Sequence, residues 1–272
     1  MAIAIPETTI FVADNSSCRI TTGSSRLRHA TMRVRVVVIL KDSGSVEVIR
    51  YGHDVPEHRR DLLLDRINGI IDEHWTTTRL VWSRSREFSP FHPYFGIALH
   101  YDGEHIVGYA IYRRLRVAAR LAIYLAGTGV CLSCERQGVY HAMTRALFLK
   151  ECQTLRPAED VYYSWRTRNP TIWTANAKWC RAIMPNIPNG TSTRDPQLQE
   201  VAIRLASEMY LDIPVEIPSI VMRRVYDHMS YRVRPRHRTR DDTNDWFDRV
   251  IPDPADAIFS VGILTPLTVF AG

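Results

Sequence analysis

Residues 121–152, LAIYLAGTGVCLSCERQGVYHAMTRALFLKEC, hold the pattern with the clearest chemical consequence. An apolar strand-like run from Leu121 to Leu132 breaks at the polar turn Ser133 to Gln137 and passes through Gly138 into a helical pattern. A tight turn that opens a helix leaves several backbone N–H groups pointing one way, and the helix dipole adds partial positive charge there. Such a joint suits a phosphate group.

Other reactive residue types are weaker signals. Cys131 and Cys134, as CLSC, have no second Cys or His pair at ligand spacing, so buried-strand cysteine is the favoured reading over zinc or redox chemistry. His53, His58 and His74 lack an i, i+4 partner, and no metal site is expected. Arg232 to Arg240, RVRPRHRTR, has arginines at alternate positions that would line one strand face and meet a polyanion. Asp241, Asp242, Asp245 and Asp248 follow directly, and internal pairing with these acids is favoured over nucleic-acid binding.

Length and composition bound the rest. At 272 residues and 45% hydrophobic content the chain can build a sizeable core. Only Lys41, Lys150 and Lys178 among 35 basic residues are lysine, and the net charge of +6 permits an anionic partner without demanding one. Five cysteines in a chain of this size fit a reduced, cytoplasmic setting, and no apolar run reaches the roughly 18 residues of a membrane span. Residues 1–31 read as a flexible extension, with TTIFV as the one stretch able to add an edge strand and Met32 as an alternative start. Residues 32–272 read as a single domain with long insertions at 76–93 and 184–250.

The elements around the joint come in a definite order. Met32–Leu40 and Val46–Arg50 flank the turn KDSG, and Leu62, Leu63, Ile67, Ile70 and Ile71 mark an amphipathic helix after Pro56. Asp102-Gly103 between alternating apolar residues predicts a hairpin. After the joint helix, Val139 to Thr154, come the strand VYYSW, a helix TIWTANAKWCRAIM starting just past Pro170, a helix over Gln199–Tyr210, a strand at Ile220–Tyr226, and a last strand at Ala257–Thr265. The predicted class is α/β, with a mixed, mostly antiparallel twisted sheet flanked by helices.

In its order of hairpin, strand, glycine turn, long helix, strand, Asn and helix, the chain resembles the GCN5-related N-acetyltransferase superfamily, whose members bind acyl-coenzyme A. Glu135-Arg136-Gln137-Gly138-Val139-Tyr140 stands where that family writes Arg/Gln-x-x-Gly-x-Gly/Ala; Gly138 matches the first glycine, while Tyr140 and Glu135 depart from the pattern. The resemblance implies that Arg136, Gln137, Gly138, Val139 and Tyr140 bind the coenzyme pyrophosphate. It also implies that Val130, Cys131 and Leu132 lie along the pantetheine, and that Asn169 sits near its acyl end. The family's tyrosine seven or eight residues past that Asn is replaced by Asn176 or Ala177. Candidate acid–base groups are Tyr140 and Tyr226 first, with Tyr124, His100 and Glu104 beside them.

The implied function is transfer of an acyl group, acetyl foremost, from acyl-CoA to an amine of a small molecule or protein, with acetyl-CoA as co-substrate and no membrane partner. A homodimer is left open. The alternatives are a non-catalytic CoA-ester binder of the same fold and a nucleic-acid-binding protein using Arg232–Arg240.

Overall fold

The computed structural model describes residues 8–14, 17–19, 35–40, 44–117, 119–153, 155, 159–187, 195–217 and 219–264. In chain order the strands and helices are β1 (Thr8–Asp14), β2 (Ser17–Arg19), β3 (Arg35–Leu40), β4 (Ser45–Ile49), α1 (Glu57–His74), β5 (Trp75–Thr77), β6 (Phe95–Asp102), β7 (His105–Val117) and β8 (Arg120–Val130). They continue with α2 (Val139–Cys152), β9 (Val161–Thr167), α3 (Pro170–Ala177), β10 (Ala182–Met184), α4 (Pro196–Met209), β11 (Val215–Glu216), β12 (Val221–Met222), β13 (Met229–Tyr231), α5 (Asp241–Val250) and β14 (Ala257–Leu264). Two compact units share this chain, and β7 and β8 pass from one to the other.

The first unit comprises residues 1–70, 82–111 and 128–153. Its strands run in the order β7-β6-β4-β3-β1-β2, with β1 and β3 parallel and β4 antiparallel to both β3 and β6. Helix α2 packs on β4 and β6 through Val139, Met143, Ala146, Leu147 and Phe148, an apolar row at helical spacing. Gly108 of β7 admits this helix, because a Cβ there would stand 2.8 Å from Val139 Cγ1 and 3.0 Å from Met143 Cε. Among the N-terminal residues, Thr8–Asp14 forms strand β1, so the TTIFV stretch lies in a sheet; most of the remaining extension lies outside the described residues.

His100, on β6, is 1% exposed, and neither ring nitrogen has a hydrogen-bond partner among the described residues. Burial outweighs the attraction of Asp102 and holds its pKa below the ordinary 6.5. The folded pKa is lowered, so the unfolded chain binds the extra proton. The contribution of this residue is present above pH 6.5 and is lost as the pH falls below it. Urea unfolding at pH 7.5 and 5.5 should show stability falling toward acid, less steeply in His100→Leu than in the parent chain.

The second unit comprises residues 71–81, 112–127 and 154–272, with strand order β11-β12-β14-β9-β8 and β10 also on β14. Strands β8 and β9 are parallel, and β9–β14, β12–β14 and β11–β12 are antiparallel. All eight residues of β14 are buried, which explains the unbroken apolar run AIFSVGIL. Helix α4 covers β14 with Leu198, Val201, Ala202, Leu205 and Ala206, against Tyr124, Met222 and Phe259. The expected α/β architecture, a mixed and mostly antiparallel sheet flanked by helices, is therefore present.

Two local expectations are corrected, and one helix lies where no element was expected. The strand expected at Ile220–Tyr226 covers only Val221–Met222, because Ile220 and Arg224 take positive φ values of 52° and 55° that break the extended run on both sides. The helix after Pro170 stops at Ala177, and β10 returns along β14 with Cys180 seated over Gly262. The acidic run after Arg240 is the helix α5, whose first turn carries Asp241 and Asp242, where carboxylates favour the positive dipole end.

Candidate functional site

The β8–α2 joint is built from a strand that outlasts its parallel neighbour. Register between β8 and β9 ends at Leu125↔Trp165, yet β8 continues through Ala126, Gly127, Thr128 and Gly129 to Val130. Residues 122–125 are buried and 126–130 are half-buried, as expected where two parallel strands diverge. The opposite edge of β8 stays attached to β7: Thr128 Oγ1 donates to the Tyr109 carbonyl at 3.0 Å, and the Cys131 amide donates to the Val107 carbonyl at 2.9 Å.

The turn that follows is internally tied. The Cys134 and Glu135 amides donate to the Cys131 and Leu132 carbonyls at 3.0 and 3.3 Å, and Gln137 Nε2 donates to the Ser133 carbonyl at 2.9 Å. Arg136 (φ 67°) and Gly138 (φ 80°) are both left-handed, and Gly138 is the N-cap of α2 with no side-chain capping bond. No atom lies within 4 Å of a Cβ built on Gly138, so its requirement is conformational and its surroundings are open. Arg136 and Gln137 are exposed beside it. An uncapped helix start with an adjacent guanidinium is chemically suited to a pyrophosphate. The Cys134 thiol is held above its ordinary pKa, first by hydrogen bonding with Cys131 and then by burial, so it remains a thiol at neutral pH.

A second group of functional side chains gathers in the second unit, where β9 passes beyond its pairing with β8. Arg166 is the first β9 residue past that register. Its Cζ lies 4.5 Å from the Tyr226 ring centroid and 4.9 Å from that of Tyr210. The Tyr124 and Tyr210 hydroxyls share a hydrogen bond, Tyr124 stacks on Phe259 at 5.9 Å, and Tyr226 tilts against Trp75 at 5.4 Å. Burial, then Tyr210, pushes the Tyr124 phenol well above its ordinary value, which keeps it protonated. Burial acts to lower the pKa of Arg166, but the phenols Tyr210, Tyr226 and Tyr124 outweigh it and the guanidinium stays charged. His228, half-buried nearby, is shifted down by burial and by the charges of Arg79 and Arg166, against a smaller opposing pull from Asp227. The group therefore offers a fixed cation, phenolic donors and an imidazole that is neutral at pH 7.

Of the residues singled out in the sequence, Val130, Cys131, Leu132, Arg136, Gln137, Gly138, Val139 and Tyr140 all lie in the β8–α2 joint. Val139 is buried against the sheet, Leu132 is exposed, and Tyr140 is half-buried with its carbonyl accepting from Thr144 Oγ1 at 2.8 Å. Tyr226 lies in the Arg166 group. Asn169 is the N-cap of α3, its Oδ1 accepting from the Thr171 and Ile172 amides at 2.9 and 3.4 Å. Asn169→Ala should cost about 1 kcal/mol of stability, the usual value of such a cap, measurable by urea denaturation. Arg166, Tyr210 and His228 were not singled out. The one available signal was the pair of arginines at alternate positions in VYYSWRTR, Arg166 in β9 and Arg168 just past its end.

Four of the five arginines of 232–240 are internally engaged, Arg232 through the Asp72 carbonyl. Arg234 and Arg236 pair with Asp248 of α5 at 2.5 and 2.8 Å, and Arg240 pairs with Asp242 at 3.1 Å. They do not form one strand face, since 232–240 lies between β13 and α5 without regular structure beyond a turn.

The parallel β8–β9 pair that parts before a glycine turn, the helix after it, and β14 antiparallel to β9 belong to one mixed sheet with a strand–turn–helix joint after β8. No family model matches the sequence, and no curated protein matches it. Among solved structures, the chain is similar to the ribosomal-protein-S18-alanine N-acetyltransferase from Escherichia coli, with 13% identity and a TM-score of 0.35 over 74% of this chain and 88% of that one. It is similar to an aminoglycoside acetyltransferase from an uncultured soil metagenomic sample, with 12% identity and a TM-score of 0.36 over 55% and 92%. An IAA acetyltransferase from Bacillus cereus shows 9% identity and a TM-score of 0.31 over 80% and 99%. Among the described residues no helix is long and apolar enough to cross a membrane.

Proposed function

We propose that this chain transfers an acyl group, acetyl in the simplest case, from coenzyme A to a primary amine. The observation that carries this reading is the parting of β8 from β9 immediately ahead of an uncapped, left-handed glycine turn. A strand edge that has left its parallel neighbour is suited to pair with an extended amide chain such as pantetheine, and the turn has donors for a pyrophosphate. When bound, the thioester supplies an activated carbonyl open to attack by an amine.

The residues divide the work. Arg136 and the backbone around Gly138 hold phosphate charge, and the residues from Val130 back to Ala126 on β8 pair with the amides of the arm. Much of the rate comes from this positioning. Within the second unit, His228, neutral at pH 7, is the group proposed to take a proton from an ammonium, and Tyr226, whose ring lies beside Arg166, is the phenol proposed to protonate a thiolate. Acetyl-CoA incubated with a panel of amines and a thiol reagent should release free thiol only when a suitable amine is present. Thiol release from no amine, together with saturable acetyl-CoA binding, would instead support a non-catalytic CoA-ester binder.

A further inference from the structure

We propose that a small pocket at the end of β9, between residues 234–236 and α5, binds a single carboxylate or phosphate group with Arg168 as its principal ligand. The pocket is lined by Arg168, Pro170, Arg234, Arg236, Phe247 and Asp248, among others. Its empty space, solvent mouth included, is about 230 Å³. Most of that space is open to solvent, so the pocket is a shallow site that a small anionic group would meet at its mouth.

Arg168 is 8% exposed. A guanidinium has five N–H donors, and the one hydrogen bond Arg168 makes among the described residues runs from Nη1 to the Asp253 carbonyl at 3.2 Å. Among the described residues no carboxylate forms an ion pair with it, and Asp253 attracts it only weakly through space. The Asp253 side chain accepts instead from the Ala255 amide at 2.8 Å, and Asp248, the acid of the pocket, is taken by Arg234 and Arg236. Three guanidiniums thus face one carboxylate. A buried charge without a counter-charge is strongly unfavourable, and an external oxyanion would offset it through charge-assisted bonds. The shift of Arg168 agrees: burial, then repulsion from Arg234, lowers its pKa.

Arg168 stands two residues past Arg166, just beyond the end of β9, and Tyr226 is an electrostatic neighbour of both. Two sources of the anion follow if the acyltransfer reading holds, on which this extension alone rests: the acidic group of an amine substrate such as an amino acid, or the 3′-phosphate of coenzyme A.

The test is thermal unfolding of the full chain in rising inorganic phosphate, against sodium chloride of equal ionic strength. The parent melting temperature should rise saturably with phosphate. Arg168→Met should lose that rise and melt no lower than the parent in phosphate-free buffer. Arg234→Gln, at a half-exposed residue, should bind phosphate about tenfold more weakly and serves as the readout if Arg168→Met does not fold. No phosphate effect beyond that of chloride, or an Arg168→Met response equal to the parent's, overturns the proposal. Competition by coenzyme A but not 3′-dephospho-coenzyme A assigns the pocket to the cofactor; turnover of an amino acid but not its amide assigns it to the acceptor. Phosphate stabilisation without any acyl transfer upholds the pocket and removes the acyltransferase reading, and the reverse pair of results removes the pocket alone.

Discussion

Gly138→Asp is expected to weaken acetyl-CoA binding by at least about a hundredfold, and Gly138→Asn by about tenfold or less. Gly138 sits at φ 80° with open space around its missing Cβ, so a side chain meets no steric wall there. Asp and Asn are the non-glycine residues that best tolerate this backbone region, and both should leave the fold intact. What separates them is charge. A carboxylate at the uncapped start of α2 would itself occupy the N–H groups and repel a pyrophosphate, whereas the amide would only compete for hydrogen bonds. Calorimetric titration of the three proteins, with circular dichroism to verify folding, measures the difference. Equal affinities across the series would remove the joint from the binding site.

His228→Gln is expected to lower kcat by 10² to 10⁴-fold, the usual range for loss of a general base, with little change in acetyl-CoA affinity. The direction of the His228 shift fixes the pH dependence as well. Burial and the charges of Arg79 and Arg166 disfavour its protonated form, so its pKa lies below the ordinary 6.5. Activity should therefore stay on a plateau as the pH falls through 6.5 and decline only below that value. Exogenous imidazole should restore part of the activity of the variant. An acid limb centred above 6.5, or a variant with unchanged kcat, would assign the base elsewhere.

The joint was legible because its signals are local. The apolar run of β8, the polar turn, Gly138 and the α2 periodicity each belong to a few consecutive residues, and the strand and helix end within two residues of their expected bounds. The Arg166 group was not legible for the opposite reason. Tyr124, Arg166, Tyr210, Tyr226 and His228 come from five separate segments, and within RTR Arg166 reads as an ordinary polar residue at a strand end. Helix α5 was hidden by its own charge: Asp241, Asp242, Asp245 and Asp248 suggest a solvated run, while Trp246 and Phe247, both buried, carry the packing. Asp248 forms the internal pairing expected of this run, since it holds both Arg234 and Arg236 beside the proposed anion pocket.

The central claim is that this chain binds an acyl-coenzyme A at the β8–α2 joint. Isothermal titration of the purified full chain with acetyl-CoA tests it most directly. Saturable one-site binding that is displaced by coenzyme A and lost in Gly138→Asp is the predicted result. An absence of saturable heat up to millimolar acetyl-CoA, from protein shown to be folded, would contradict it.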